Sequence, residues 1–215
     1  YETLGNNQLF NSNTPMLLAR TKELGCEVIF MGSIEDNLEA IKQTINDSLD
    51  ADLIITTGGA SVGDADYTKE AFSTFITQEY FQKINIKPGK PTSMSRINNT
   101  IVLNLPGNPL AAAINYEIFA KVIIQKLRGM EKYKLATFQA PIKNDISIKG
   151  KKHSVILGYW NGAFFTPTVK SSPGMISPMT LSNCMAILDK GIENIAQNTQ
   201  LDLVQFGQSL IGEHS

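Results

Sequence analysis

The stretch Asp52-Leu53-Ile54-Ile55-Thr56-Thr57-Gly58-Gly59-Ala60-Ser61-Val62-Gly63-Asp64-Ala65-Asp66 decides how the rest of the chain is read. Its first half is a short apolar run, the pattern of a buried strand in a parallel sheet. Its second half is a glycine loop, followed by a helical pattern near Tyr67–Ile76. The three glycines Gly58, Gly59 and Gly63 permit positive φ, so backbone amides can turn inward and form an anion nest. The N-terminus of the next helix adds partial positive charge suited to a phosphate. No Gly-Lys-Ser/Thr follows, so this is not a Walker A loop, and the spacing is not G-x-G-x-x-G. The same residues also read as a tight strand-to-helix turn with Asp66 as its N-cap, and spacing alone leaves both readings open.

Upstream, Thr14-Pro15 predicts a helix start, with Thr14 at the N-cap and Pro15 at the first helical position. Leu17, Leu18 and Leu24 supply its apolar side and Gly25 its end. Cys26–Met31 predicts a strand. Asp36 with Glu39 forms a capping pattern, after which Leu38, Ile41, Ile45 and Leu49 repeat at helical spacing. Downstream, Ile84–Ile86 and Ile101–Leu105 are strand-like. A helix opens at Asn108-Pro109, carries Leu110, Ile114, Ile118 and Val122 as its buried stripe, and closes at Gly129. This alternation predicts an α/β layered domain over residues 1–132, with ligand loops at one end of the sheet. After Tyr133 the texture changes to short β-prone pieces at Ala136–Ala140, Ser154–Trp160, Ala163–Val169, Met185–Leu188 and Leu201–Phe206. Gly, Pro, Ser and Asn separate them, which predicts a second, all-β domain over 133–215, a barrel or a sandwich.

Composition narrows the function classes. The 215 residues are 42% apolar and 18% charged, enough for a real core. Nineteen basic against twenty acidic residues give a net charge of −1, removing the whole-chain argument for nucleic acid or an anionic membrane. Two cysteines build neither a disulfide framework nor a zinc site. Cys26, in an apolar run, reads as a core thiol, and Cys184, near a turn, as the more exposed one. Tyr1–Leu18 is too polar for a signal peptide, and no apolar run reaches the ~18–20 residues of a membrane span. The expectation is a soluble cytoplasmic protein. The chain begins at Tyr1 rather than Met, which reads as a processed chain or a fragment.

Three further features carry chemistry. Asp36 and Asp66 both follow strand-like runs and could hold Mg²⁺ with substrate phosphates completing the shell, or simply cap the next helix. From Phe81 through Tyr116 there is no Asp or Glu, yet Lys83, Lys87, Lys90 and Arg96 are present. Lys87-Pro88-Gly89-Lys90-Pro91 is a rigid turn presenting two ammonium groups, which suits a small polyanion or a solvated lysine face. Leu105-Pro106-Gly107-Asn108-Pro109 fixes φ at both prolines and offers Asn108 as a cap, so it is a rigid connection or a second helix N-terminus at a ligand crevice. Trp160 and Tyr159 read as packing residues, and the separated His153 and His214 form no triad.

In this order, Gly58–Tyr67, Lys87–Pro91 and Leu105–Pro109 resemble the molybdopterin molybdenumtransferase family (MoeA-type), which is related to the gephyrin E domain. Asn11-Ser12-Asn13, the turn from Gly32 to Asp36, and the tail stretches Ser172–Ser177 and Leu181–Asn183 add to the likeness. The resemblance implies a three-layer molybdopterin-binding α/β domain with a mostly parallel sheet, then a small β-barrel domain. It implies a Mg²⁺-dependent enzyme that takes adenylylated molybdopterin and molybdate, inserts molybdenum into the dithiolene and releases AMP. Carried over by position, Asp36 and Asp66 would be the acidic and metal-holding residues. Gly58, Gly59, Ser61 and Gly63 would cradle phosphate, and Lys83, Lys87 and Lys90 would bind pterin phosphate or molybdate. Pro106, Asn108 and Pro109 would shape the pocket wall. The likeness covers the C-terminal part of such enzymes, without a Thr-Gly-Asp-Glu-Leu stretch, and Leu157-Gly158 stands where an Arg precedes the strand-end Gly. It also implies homodimers whose sites the partner completes. The alternatives are a molybdopterin adenylyltransferase-like enzyme and a peptide-binding scaffold like the gephyrin E domain.

Overall fold

The computed structural model describes residues 11–58, 67–168 and 177–206. Its first part runs α1 (Asn13–Glu23), α2 (Leu38–Asp47), β1 (Leu53–Thr57), α3 (Tyr67–Ser73), β2 (Gln78–Phe81), β3 (Ile86–Lys87), β4 (Ser93–Ile97) and β5 (Thr100–Leu105). A long helical stretch follows as α4 (Pro109–Asn115), a π-helical turn (Tyr116–Ala120) and α5 (Lys121–Leu127). The remainder is β6 (Thr137–Pro141), β7 (Ile146–Ser147), β8 (His153–Trp160), β9 (Phe165–Pro167), α6 (Ser177–Thr180), β10 (Cys184–Leu188), β11 (Asn194–Ile195) and β12 (Gln200–Gln205).

The first sheet has the order β1-β5-β4-β2. Leu53–Thr57 lie parallel to Ile101–Leu105, the relation expected for a strand feeding a ligand loop. The other pairs, β4 with β5 and β2 with β4, are antiparallel, so the sheet is mixed rather than mostly parallel. The reason is local: only Asn98-Asn99, with Asn98 at φ 50°, separates β4 from β5, and so short a turn joins only antiparallel strands. Helices cover both faces. Leu103 and Leu105 pack with Leu17, Ala112, Tyr116 and Ala120, while Val102 and Ile97 pack with Ile41, Ile45, Ala71 and Phe72.

The second sheet has the order β3-β8-β10-β12-β6, with β9 on β8. Its strand content follows the predicted pieces closely. An isolated bridge, Ile142 to Phe165, links the chain after β6 to β9. Both faces of the central strand β10 are covered. Cys184, Ala186 and Leu188 enter one core with Ile142, Phe165 and Leu203, while Met185 enters another with Leu157, Val204 and Phe206.

That second core also contains Leu110, Ile114 and Ile118. The helix α4 is therefore held between the two sheets, one stripe on each. Each fully buried aliphatic side chain contributes about 1.5–3 kcal/mol, so this shared stripe binds the halves together more strongly than any surface ion pair. The stripe stops at Ile118. Beyond it the expected Val122 is only half-buried, and Ile124, four residues after Ala120, is the buried residue of α5.

Three local expectations are corrected. Cys26–Met31 forms no strand: among the described residues no strand pairs with this run, β1 is the sheet's edge, and Ile29 and Phe30 are 72% and 54% exposed. For the same reason β1 is only half-buried. The cysteines are reversed: Cys26 is half-buried, while Cys184 is fully buried because β10 is central. Ser12 rather than Thr14 is the N-cap of α1, and Thr14 N–H donates instead to Asn11 Oδ1 at 3.1 Å.

Candidate functional site

The carboxyl ends of β1 and β5 lie side by side, because the two strands are parallel and in register. Each continues into a glycine-containing loop. Gly58 adopts φ +91°, a conformation that side-chain-bearing residues rarely take. A Cβ on Gly107 would lie 3.4 Å from Gly58 Cα, so the two loop backbones run close together. Together with the start of α1 they form a cleft of about 260 Å³ lined by Asn11, Ser12, Asn13, Thr57, Gly58, Gly107 and Pro109.

A row of hydrogen bonds beneath the cleft holds these strand ends. Thr56 Oγ1 donates to Asn104 Oδ1 at 2.6 Å, and Asn104 Nδ2 donates to Ser93 Oγ at 3.0 Å, linking β1, β5 and β4. Asn13 is nearly buried and donates through Nδ2 to Gly107 O at 3.0 Å, tying α1 to the second loop. Asn108 caps α4, its Oδ1 accepting from Ala111 N at 3.1 Å, and Pro109 occupies the first helical position as the sequence predicts.

The electrostatics favour an anion. Neither α1 nor α4 carries an acidic residue in its first turn, and α1 has Arg20 and Lys22 in its last. The positive end of the α1 macrodipole therefore meets the cleft without a carboxylate of its own to neutralise it. The Ser12 side chain makes no capping bond.

The predicted residues separate into groups. Gly58 and Pro109 line the cleft, Asn108 caps the helix behind it, and buried Pro106 continues β5 into the loop. Gly59, Ser61, Gly63 and Asp66 lie outside the described residues. Asp36 is exposed and is not the cap of α2; that role falls to Asn37, whose Oδ1 accepts from Glu39 N and Ala40 N at 3.0 and 3.1 Å. Among the described residues no three His, Cys, Asp or Glu side chains come together as a metal set. Asp36 alone would supply one ligand, so a Mg²⁺ ion would need Asp66 and ligand oxygens as well.

Lys83, Lys87 and Lys90 are exposed. Lys87 is the last residue of β3, which pairs in parallel with β8, so the lysine turn springs from the second sheet rather than from the first. The residue reading missed the roles of Asn13, Thr56, Ser93 and Asn104. The available signal was Asn11-Ser12-Asn13 ahead of a helix; the Thr–Asn–Ser row depends on strand register, which local pattern does not show.

Deeper in the molecule, Glu117 is 2% exposed within the π-helical turn. Arg20 Nη2 stands 2.7 Å from its Oε1 and Lys121 Nζ 2.5 Å from its Oε2. Burial pulls the Arg20 pKa down, but the charge of Glu117 and their hydrogen bond outweigh it, and the net shift is upward. Burial pushes the neighbouring Tyr116 phenol up to about 12, opposed by its hydrogen bond with Thr21.

A cleft at the carboxyl ends of parallel strands, flanked by a helix N-terminus, is the place where open α/β sheets generally take their ligands. A family model described as a probable molybdopterin binding domain matches residues 2–126, and the chain belongs to that family. The curated relatives include the molybdopterin molybdenumtransferase of Haemophilus influenzae, 30% identical over 218 residues, covering 96% of this chain and 53% of the relative. That of Staphylococcus aureus strain COL is 26% identical over 208 residues, covering 94% and 50%. The chain thus spans about half the length of the curated relatives it matches. Among solved structures, a molybdopterin biosynthesis MoeA protein from Pyrococcus horikoshii superposes with a TM-score of 0.81 at 23% identity, covering 96% of this chain and 51% of that one, a likeness of fold. Among the described residues no helix is long and apolar enough to cross a membrane.

Proposed function

We propose that the chain acts as the C-terminal half of a molybdopterin molybdenumtransferase in molybdenum cofactor biosynthesis. The observation that carries this reading is the cleft between the start of α1 and the Gly58 and Gly107 loops, whose described lining bears no carboxylate, in a chain of the molybdopterin-binding family. The cleft takes the phosphate end of adenylylated molybdopterin. Amides at the start of α1 and the Gly58–Gly63 loop bind the phosphate oxygens, and the Asn13–Gly107 tie keeps the two walls at a set distance. Hydrolysis of the anhydride adds the elements of water across the P–O–P link and releases AMP. Molybdate is the second substrate, and the exposed Lys83, Lys87 and Lys90 draw it in by charge.

Asp36 and Asp66 would hold Mg²⁺ together with the ligand's phosphate oxygens, and the ion would supply charge neutralisation there. In this reading residues 1–132 are the ligand-binding domain and 133–215 a barrel domain closing through Ile142 and Phe165. The full-length protein works in the cytoplasm as a homodimer.

Calorimetric titration of the chain with AMP and with molybdate, each with and without Mg²⁺, tests the proposal. Gly58→Ala, which forces a Cβ at positive φ beside the cleft, should weaken AMP binding about tenfold or more, the range of one lost charge-assisted hydrogen bond. Unchanged AMP affinity in Gly58→Ala would sink the assignment of the cleft.

A further inference from the structure

We propose that Asn115 is a positioning residue that sets the Lys87–Pro91 turn against the helix whose first turn walls the cleft. The inference rests on the anion-binding reading of that turn but is argued from contacts independent of it. Asn115 is fully buried at the end of α4. Its Nδ2 donates to Ala111 O at 2.7 Å and to Pro88 O at 3.3 Å. A Cβ placed on Gly89 would come 1.9 Å from the same Nδ2 and 2.7 Å from Cγ and Oδ1, so the amide occupies the space that a side chain at Gly89 would need.

Three successive carbonyls of the turn are thereby held. Pro88 O takes Asn115, Gly89 O takes the amide and hydroxyl of Thr92 at 3.0 and 2.8 Å, and Lys90 O takes the Ile84 amide at 3.1 Å. Only the first reaches across the fold, because Asn115 is 27 residues from Pro88 in sequence. With these carbonyls occupied inward, the side chains of Lys87 and Lys90 are left exposed.

The other end of the link is the cleft. Ala111 donates its N–H to Asn108 Oδ1 and accepts from Asn115 at its carbonyl. A short chain of hydrogen bonds thus runs from the cap behind Pro109, through Ala111 and Asn115, to Pro88. The sequence offers no local sign of it, since Asn115 falls inside a helical apolar pattern where a polar residue normally faces solvent.

The test compares Asn115→Ala, Gly89→Ala and the double variant in this chain, by hydrogen exchange of the Ile84 and Thr92 amides and by calorimetric molybdate titration. Glu117→Gln is the control, because it loosens the same helical stretch without touching the turn. Asn115→Ala should speed exchange at both amides about tenfold, the effect of one lost hydrogen bond on the opening of the turn, and should weaken molybdate binding. Glu117→Gln should lower the thermal midpoint and leave exchange and affinity at the turn unchanged. Gly89→Ala should also speed exchange, and the double variant should be less impaired than the two single effects combined, since removing the amide vacates the contested space. Should Asn115→Ala fail to fold, Gly89→Ala probes the same contact from the turn. Wild-type exchange rates in Asn115→Ala, or equal acceleration by Glu117→Gln, would overturn the proposal. If exchange responds while Lys87→Ala with Lys90→Ala leaves molybdate binding unchanged, the positioning role stands and the anion reading of the turn falls.

Discussion

Cys184 shows how much one residue's surroundings depend on strand order. Near a turn in sequence it reads as the exposed thiol, yet β10 lies between β8 and β12 and its side chain enters a closed core. Burial pushes its thiol from 9.0 up to about 11. The unfolded thiol ionises first as pH rises, so the unfolded state binds fewer protons and gains stability relative to the folded one. The burial contribution is complete below pH 9 and is lost as pH climbs towards 11. Tyr116 adds a second loss between 10.0 and about 12. Denaturant unfolding at pH 9 and pH 10 should show a loss of about 1 kcal/mol that Cys184→Ala removes. An identical pH slope in that variant would refute the assignment. Asn104 makes the matching point for the site: its composition and neighbours suggest a strand, and only the register against Thr56 and Ser93 gives it a role.

Among the elements, the long helical stretch from Pro109 to Leu127 does most to define the architecture. Its start was legible in full, since Asn108-Pro109 is a cap followed by a preorganised first residue. The same is true of α2, β1 and β5, whose apolar repeats match their periods. The π-helical turn was not legible, because nothing local in Tyr116–Ala120 distinguishes it from α-helix. Within it Glu117 meets Arg20 of α1 across the fold and Lys121 one turn on. Removing one partner of a buried ionic cluster leaves the others uncompensated, at about 3–5 kcal/mol. Glu117→Ala should therefore lower unfolding free energy by about 3 kcal/mol, with Glu117→Gln costing less because it can still accept from Arg20. Equal stability of Glu117→Ala and wild type would show that the cluster is only a contact. The strands β2 and β4 and the transfer of β3 to the second sheet escaped the sequence for a related reason: short polar strands are specified by their partners, not by alternation.

At the scale of the whole molecule, two sheets share one helix. Leu110, Ile114 and Ile118 face the second sheet while Ala112, Tyr116 and Ala120 face the first. The texture of the sequence changes near Tyr133, and contacts cross that point: β3 pairs with β8, and the helical stretch from Pro109 packs into both cores. Composition could not show this, since it averages over segments that end up in different layers.

The outer edge of β1 has a different consequence. Ile29, Phe30, Met31 and Ile34 are exposed, and β1 has no second partner among the described residues. Such an edge attracts other edges, and a net charge of −1 provides almost no long-range repulsion to keep copies apart. Static light scattering should rise with concentration faster than for an ideal solute, and Ile29→Lys with Phe30→Glu should suppress the rise without moving the thermal midpoint. No suppression would place the attraction elsewhere. How concentrated the chain can be and still remain dispersed then depends on where its exposed apolar side chains gather, and not on its average hydropathy alone.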